Sequence, residues 1–282
     1  MSNTLLQLSH KPALRLHARV VADVQKVAAP LGVRLMMSGA FARDLHLHHA
    51  WGVPVRRETH DVDFALAVPD WPAFQALRAA LLASGQFVEA SGVLHRLRHS
   101  QGLPIDLVPF GAIETAQRQI VWPPAGDLVM DVFGFQEAWA TAVNVALPDD
   151  VQAAVVSLPA LAWLKMVCWQ DRHRRSPGKD AQDLQLILNH YLDAGNEPRL
   201  WNEFVAWTQQ DGFDYTLTAA RMLGRDMRHQ LNAEARARIA AIVGRQTDTD
   251  RPDLLPNEMN PRNPEQAVAQ LRSLLQGLNT DD

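Results

Sequence analysis

Arg57-Glu58-Thr59-His60-Asp61-Val62-Asp63-Phe64 is the stretch whose reading decides the fold. Its second half alternates acidic and apolar side chains. Successive residues on a strand point to opposite faces, so Asp61 and Asp63 share one face while Val62 and Phe64 enter a core. Upstream, Val33 to Met37 is a short apolar run, expected as a buried strand, that leads into the small-residue turn Ser38-Gly39-Ala40. The spacing predicts a helix from Ala40 to about His49, a loop over 50–58 and a strand from His60 to Val68. Two carboxylates held side by side repel, and a divalent cation relieves the repulsion. Mg²⁺ prefers hard carboxylate oxygens together with substrate phosphates.

Downstream, Asp70 suits the N-cap of a helix to Ser84, with Pro72 tolerated in its first turn. Val93 to Arg98 and Leu103 to Val108, separated by Ser100-Gln101-Gly102, read as a hairpin. The second of these runs carries one acid, Asp106, among apolar neighbours. A lone Asp in such a strand is costly unless paired or metal-bound. Asp127 to Phe133 and Asn144 to Leu147 are expected strands, the latter pairing with Val151 to Val156 across Pro148-Asp149-Asp150.

After Ser157 the pattern is nearly all helical: 158–173, 180–192, 198–210, 214–229 and 233–243. Preceding everything is a helix over 13–29, ended by Pro30. The expected fold class is therefore α/β (α+β): a small mixed-sheet domain over 1–157, with its N-terminal helix, followed by a helical domain over 158–244. Residues 245–262 are rich in Asp, Thr, Pro and Asn and read as an exposed linker. A last helix follows, opened by the capping-box-like Asn263-Pro264-Glu265-Gln266, so that 245–282 is linker and terminal helix.

The chain has 282 residues, 47% hydrophobic and 21% charged, which fits a globular protein with a substantial core. A net charge of −4 excludes a polycation, so any nucleic-acid contact rests on a local basic patch. The single cysteine, Cys168, excludes a disulfide framework or a Cys-based zinc site within one chain. The most apolar stretch, Ala153 to Trp169, is broken by Pro159 and Lys165 and falls short of the roughly 20 residues a membrane helix needs. With no secretory signal evident, a cytoplasmic location and no membrane partner are expected.

Nucleotidyl transfer needs an attacking hydroxyl, an in-line pyrophosphate leaving group and stabilisation of the charge on both. Two metals about 3.5–4 Å apart can clamp both oxygens, and such a pair typically takes three carboxylates. Asp61, Asp63 and Asp106 supply that number. Ser38-Gly39 between a strand and a helix offers backbone N–H groups to a phosphate. Lys165, Trp169 and Arg172 fall on one helical face. Arg172, Arg174, Arg175 and Lys179 form a dense basic segment suited to RNA or phosphate.

These residues together resemble the nucleotidyltransferase superfamily of DNA polymerase β-like fold: a small-residue turn, a helix, a strand with Asp-x-Asp and a later carboxylate. Arg57-x-Thr59-x-Asp61-Val62-Asp63-Phe64 is similar to the AbiEii-type nucleotidyltransferases of type IV toxin–antitoxin systems. So is the later set Lys165-Met166, Arg172 and Lys179-Asp180-Ala181-Gln182-Asp183-Leu184. The resemblance covers about residues 33–190. It implies that Asp61, Asp63 and Asp106 hold Mg²⁺, as two ions, with Asp106 helping to activate the hydroxyl. It implies that Ser38, Gly39, Arg57, Thr59 and Lys165 bind the NTP, and that Asp180 orients Lys165 or contacts substrate. The acceptor it implies is a tRNA 3′ end or a protein hydroxyl, and the partner a cognate antitoxin. The turn here is Ser38-Gly39-Ala40 where the family usually has Gly-Gly or Gly-Ser.

Other readings compete. An antibiotic adenylyltransferase shares this core but needs an acidic pocket for its cationic drug, and the basic segment argues against it. An inactive antitoxin-like binding module would show no NTP-dependent thermal stabilisation. Asp106 has the alternative of a structural arginine partner, and Lys165 that of a snorkelling surface group. His46, His48 and His49 are spread around a helix axis and read as surface histidines; Trp163, Trp169, Trp201 and Trp207 read as core.

Overall fold

The computed structural model describes residues 5–54, 59, 61–90, 93–124, 126, 128–248 and 254–280. The protein is a mixed α/β fold with a helical C-terminal region. It divides into two compact units: Met1–Ala50 with Pro54–Ser157, and Trp51–Val53 with Leu158–Asp282.

The first unit runs β1 (Leu5–Gln7), α1 (Arg15–Ala28), β2 (Arg34–Ser38), α2 (Gly39–Asp44), β3 (Val62–Ala67), α3 (Trp71–Ala83), β4 (Phe87–Glu89), β5 (Arg96–His99), β6 (Pro104–Phe110), β7 (Gln119–Val121), β8 (Val129–Asp131), α4 (Phe135–Ala140), β9 (Val143–Ala146) and β10 (Gln152–Val155). Among the described residues one eight-stranded sheet has the order β1-β9-β10-β2-β3-β6-β5-β4, and β7 pairs with β8 separately. The central strands are apolar on both faces because both are covered: Met36, Met37, Phe64, Leu66, Ile105 and Leu107 are all buried. The α1 helix presents Val20, Val21 and Val24 to this core. His99 of β5 meets Asp23 of α1 at 3.1 Å, which places α1 on the face of β5 opposite Arg96. At α3 the Asp70 carboxylate accepts from the Ala73 amide, the cap the sequence predicts.

The expected hairpin forms, with β5 antiparallel to β6. The predicted 144–156 pair also forms, as β9 with β10. Parallel pairing of β1 with β9 has no local signal, since Leu5–Gln7 is only three residues long. The predicted 40–49 helix is α2 continued by a π-helical turn, Leu45–His49. The surface reading of the histidines is corrected at His46. It is buried and its Nε2 donates to the Val156 carbonyl at 2.7 Å, a partner only the folded chain supplies.

The second unit comprises α5 (Leu158–Arg172), α6 (Lys179–His190), α7 (Glu197–Asn202), α8 (Val205–Thr208), α9 (Tyr215–Gln230), α10 (Ala233–Gln246), α11 (Leu254–Met259) and α12 (Pro264–Asn279). Its tightest crossing is α9 on α12. A Cβ on Gly224 would lie 2.1 Å from the Leu274 carbonyl oxygen, and one on Gly277 would lie 2.0 Å from that of Arg221. Glycine at both positions lets the two backbones touch. Gln185 and Gln270 pair their amides in the interior, and both bond Asn189.

Two expectations fail here. The 245–262 stretch is not an exposed linker throughout: α11 lies within it, with Leu255, Pro256 and Met259 buried. Glu258 of α11 accepts from the Trp169 indole at 2.9 Å and from the Gly178 amide at 2.8 Å, so this polar segment is docked by specific bonds. Trp201 is exposed rather than core, its indole at the surface of the short helix α7. No helix among the described residues is long and apolar enough to cross a membrane.

Candidate active site

Register alone assembles the site. Ser38 of β2 is paired with Asp63 of β3, Asp63 with Asp106 of β6, and Asp106 with Arg96 of β5. Paired residues in a sheet project to the same face, so these side chains form one row across four adjacent strands. Asp61 precedes β3 by one residue and comes round to the same cation. Arg96 donates from Nε and Nη2 to the two oxygens of Asp106, each at 2.6 Å. It also donates from Nη2 to Asp61 at 2.9 Å. The Asp106 hydrogen bond above all, then the charges of Asp106, Asp61 and Asp63, push the Arg96 pKa up against the pull of burial. Three carboxylates thus act on one guanidinium.

Gly39 opens α2 at φ +69, and a Cβ there would fall 1.7 Å from Asp63 Oδ2. The Asp63 carboxylate therefore leans against bare backbone at the strand–helix turn. Gly39→Ala must both strain a left-handed residue, at about 1–2 kcal/mol, and drive the carboxylate away. A loss of product formation of about tenfold or more, against a stability loss of about 1–2 kcal/mol in urea unfolding, is expected. Equal activity at equal stability would show that the Asp63 position does not matter.

The α2 helix holds the other end of the motif as well. Arg43 donates to Asp44 Oδ1 from Nε at 2.8 Å and from Nη2 at 2.6 Å, both residues being buried. Asp44 Oδ2 accepts from the Thr59 hydroxyl at 2.7 Å. Thr59, expected to bind nucleotide, is here a tether for the approach to β3. Arg57 lies outside the described residues.

In the helical unit, Lys165 of α5 is buried, with Nζ 2.6 Å from Asp183 and 3.2 Å from Asp180 of α6. Arg172 closes on Asp180 with Nε at 2.7 Å and Nη2 at 2.8 Å. Burial works against the Lys165 charge, but Asp183 and Asp180 outweigh it and its pKa rises. Burial likewise disfavours charge on Asp180, yet the Arg172 hydrogen bond and the Lys165 charge bring it down to about 2. The structure places Asp180 beside Lys165, but the ammonium has only 5% of its side chain exposed. Arg172, expected to meet phosphate, spends its fork on Asp180; Arg174 is exposed, and Arg175 lies 3.6 Å from Asp171.

These shifts set an acid response. Burial holds His46 at about 4, below its ordinary 6.5, so between those values the unfolded chain binds the proton and stability is lost as pH drops from 6.5 towards 4. Asp180, at about 2 against 3.8, stabilises the fold above pH 3.8 and loses that contribution as pH drops through 2. The thermal midpoint should fall in both windows, and Asp180→Asn should flatten only the lower one. A midpoint constant from pH 6.5 to 2 would contradict both assignments.

Arg96, Arg43 and Asp44 are the site residues the sequence reading missed. For Arg96 a signal existed, because a hairpin centred on Gln101 sets it opposite Asp106. For the metal, the donor chemistry fits: Asp63 is the register partner of Asp106, Asp61 and Asp106 share the Arg96 guanidinium, and all three offer hard carboxylate oxygens. As placed, Asp61 and Asp106 give their oxygens to Arg96, and no three His, Cys, Asp or Glu among the described residues are grouped to hold an ion.

The family model described as nucleotidyl transferase AbiEii toxin, type IV TA system, matches residues 24–269. No curated protein matches the sequence. The solution structure of the antibiotic-resistance factor ANT(2'')-Ia shares 13% identity over 68% of this chain and 94% of that one, with a TM-score of 0.39. An antigenic nucleotidyltransferase-like protein from Paracoccidioides brasiliensis shares 17% over 68% and 89%, at 0.39. The CCA-adding enzyme of Thermotoga maritima complexed with tRNA shares 11% over 96% and 80%, at 0.24. Likenesses at such scores carry no functional weight.

Proposed function

Since the chain belongs to the AbiEii nucleotidyltransferase family, we propose that it transfers NMP from an NTP to a hydroxyl acceptor on the sheet face where Asp61, Asp63 and Asp106 converge. The observation that carries this reading is the row Ser38–Asp63–Asp106, with Gly39 pressed against Asp63 and a cation held between Asp61 and Asp106. The acceptor oxygen attacks the α-phosphorus, the bond to the bridging oxygen breaks and pyrophosphate leaves. Asp61, Asp63 and Asp106 would hold Mg²⁺, as two ions, which when bound would supply Lewis-acid neutralisation of charge developing on the phosphoryl oxygens. Asp106 takes the hydroxyl proton. Ser38 and Gly39 offer backbone N–H groups to the triphosphate, beside the Asp63 carboxylate that a larger residue at Gly39 would displace.

Lys165 and Asp180 enter this proposal as a pair that holds the helical unit together, because the ammonium is enclosed by carboxylates. Exposed Arg174 and Arg175, with Lys179, favour an RNA acceptor, a tRNA 3′ end, over a protein hydroxyl. In the cell this is the reaction of a cytoplasmic toxin restrained by a cognate antitoxin. Incubation of the purified protein with Mg²⁺, labelled NTPs and total RNA should label RNA, and Asp63→Ala should label none. Label in protein instead would move the acceptor; label equal in both proteins, or in neither, would remove the reading.

A further inference from the structure

We propose that Arg96 is the built-in counter-ion of this site: its guanidinium holds Asp61 and Asp106 until a divalent cation binds, and binding is an exchange in which Arg96 leaves both carboxylates. The proposal rests on the nucleotidyl-transfer reading above. Asp106 is buried on a central strand and needs a positive partner at all times. Arg96 meets that need with the fork geometry a carboxylate matches best, both Asp106 oxygens at 2.6 Å, and reaches Asp61 at 2.9 Å with the same Nη2. Those are the oxygens the divalent cation needs. A guanidinium and a metal ion on the same oxygens would repel, so the two states exclude each other.

The arginine is also placed to leave. It stands on β5, with only β4 between it and the sheet edge, and its side chain is 35% exposed, against 12% for Asp106. Arginine keeps its charge at any pH a protein survives, so the exchange moves a cation and no proton. Once out, the same fork matches phosphate oxygens, which arrive with the nucleotide. In the row Ser38–Asp63–Asp106–Arg96, the last member thus stabilises the site without metal and restrains metal binding in the absence of nucleotide.

Titration of the full chain with Mn²⁺, followed by the EPR signal of the free ion, tests the exchange directly. Arg96→Gln should bind Mn²⁺ about tenfold or more tightly than wild type without nucleotide, since the competitor is gone. Equal or weaker binding by Arg96→Gln would overturn the exchange and leave Arg96 as a carboxylate-positioning group. A measurement on wild type covers the case in which that variant does not fold. The Arg96 Nε–H resonance, assigned with Arg96→Lys, should be protected without metal and lost to solvent exchange on Mg²⁺ addition. A resonance unmoved by saturating Mg²⁺ would overturn the proposal. Labelling of RNA by wild type, measured alongside, tells failure of the exchange apart from failure of the transfer reading.

Discussion

Asp63→Asn should lower nucleotidyl transfer by on the order of 10³-fold or more. The side chain is isosteric, and Asp63 is only partly buried, so the fold should survive with a change of about 1 kcal/mol or less. What disappears is negative charge at the centre of the row, between Ser38 and Asp106. An amide cannot replace a carboxylate as a hard ligand. Loss of a single preorganised electrostatic group commonly costs about 10²–10³ in rate, and this one is proposed to serve the metal and the nucleotide together. Labelled product per enzyme over time, read beside the urea midpoint, gives both numbers. A variant within about tenfold of wild type at unchanged stability would take Asp63 out of the chemistry.

The largest stability effect should come from Lys165→Met. Methionine fills most of the lysine volume but removes the ammonium that lies 2.6 Å from Asp183 and 3.2 Å from Asp180, both of them buried. Breaking a buried ion pair from one side costs about 3–5 kcal/mol, mostly the stranded charge. The midpoint in urea should fall accordingly. Lys165→Met with Asp183→Leu should recover much of the loss, because replacing both partners of a buried pair by apolar groups is often near neutral. A single variant within about 1 kcal/mol of wild type would mean that the cluster does not hold its charges buried. The contrast with Asp63 separates the two acid clusters: one is proposed to sustain chemistry, the other sustains the helical unit.

Much of this was legible in the chain. The alternation through Asp61-Val62-Asp63-Phe64 puts two acids on one strand face because the strand period is 2, whatever the rest of the fold. A lone Asp106 in an apolar strand announces a partner, because an isolated buried carboxylate is too costly to keep. The β5–β6 hairpin is legible too, and its register sets Arg96 opposite Asp106. By contrast, α11 hides in a segment whose composition is that of a loop. Its order comes from Glu258 bonding the Trp169 indole and the Gly178 amide, about 80 residues away in sequence. His46 had an ordinary surface pattern and is buried by a carbonyl that arrives 110 positions later.

The sequence by itself determined which side chains carry charge, which strand faces they occupy and that three acids must be compensated. Those are properties of local periodicity and of the cost of burying a charge. Only the tertiary structure decided that Asp61 shares the cation set opposite Asp106. Asp61 and Arg96 are 35 positions apart, and they meet because β3 lies beside β6, an adjacency that no local pattern encodes.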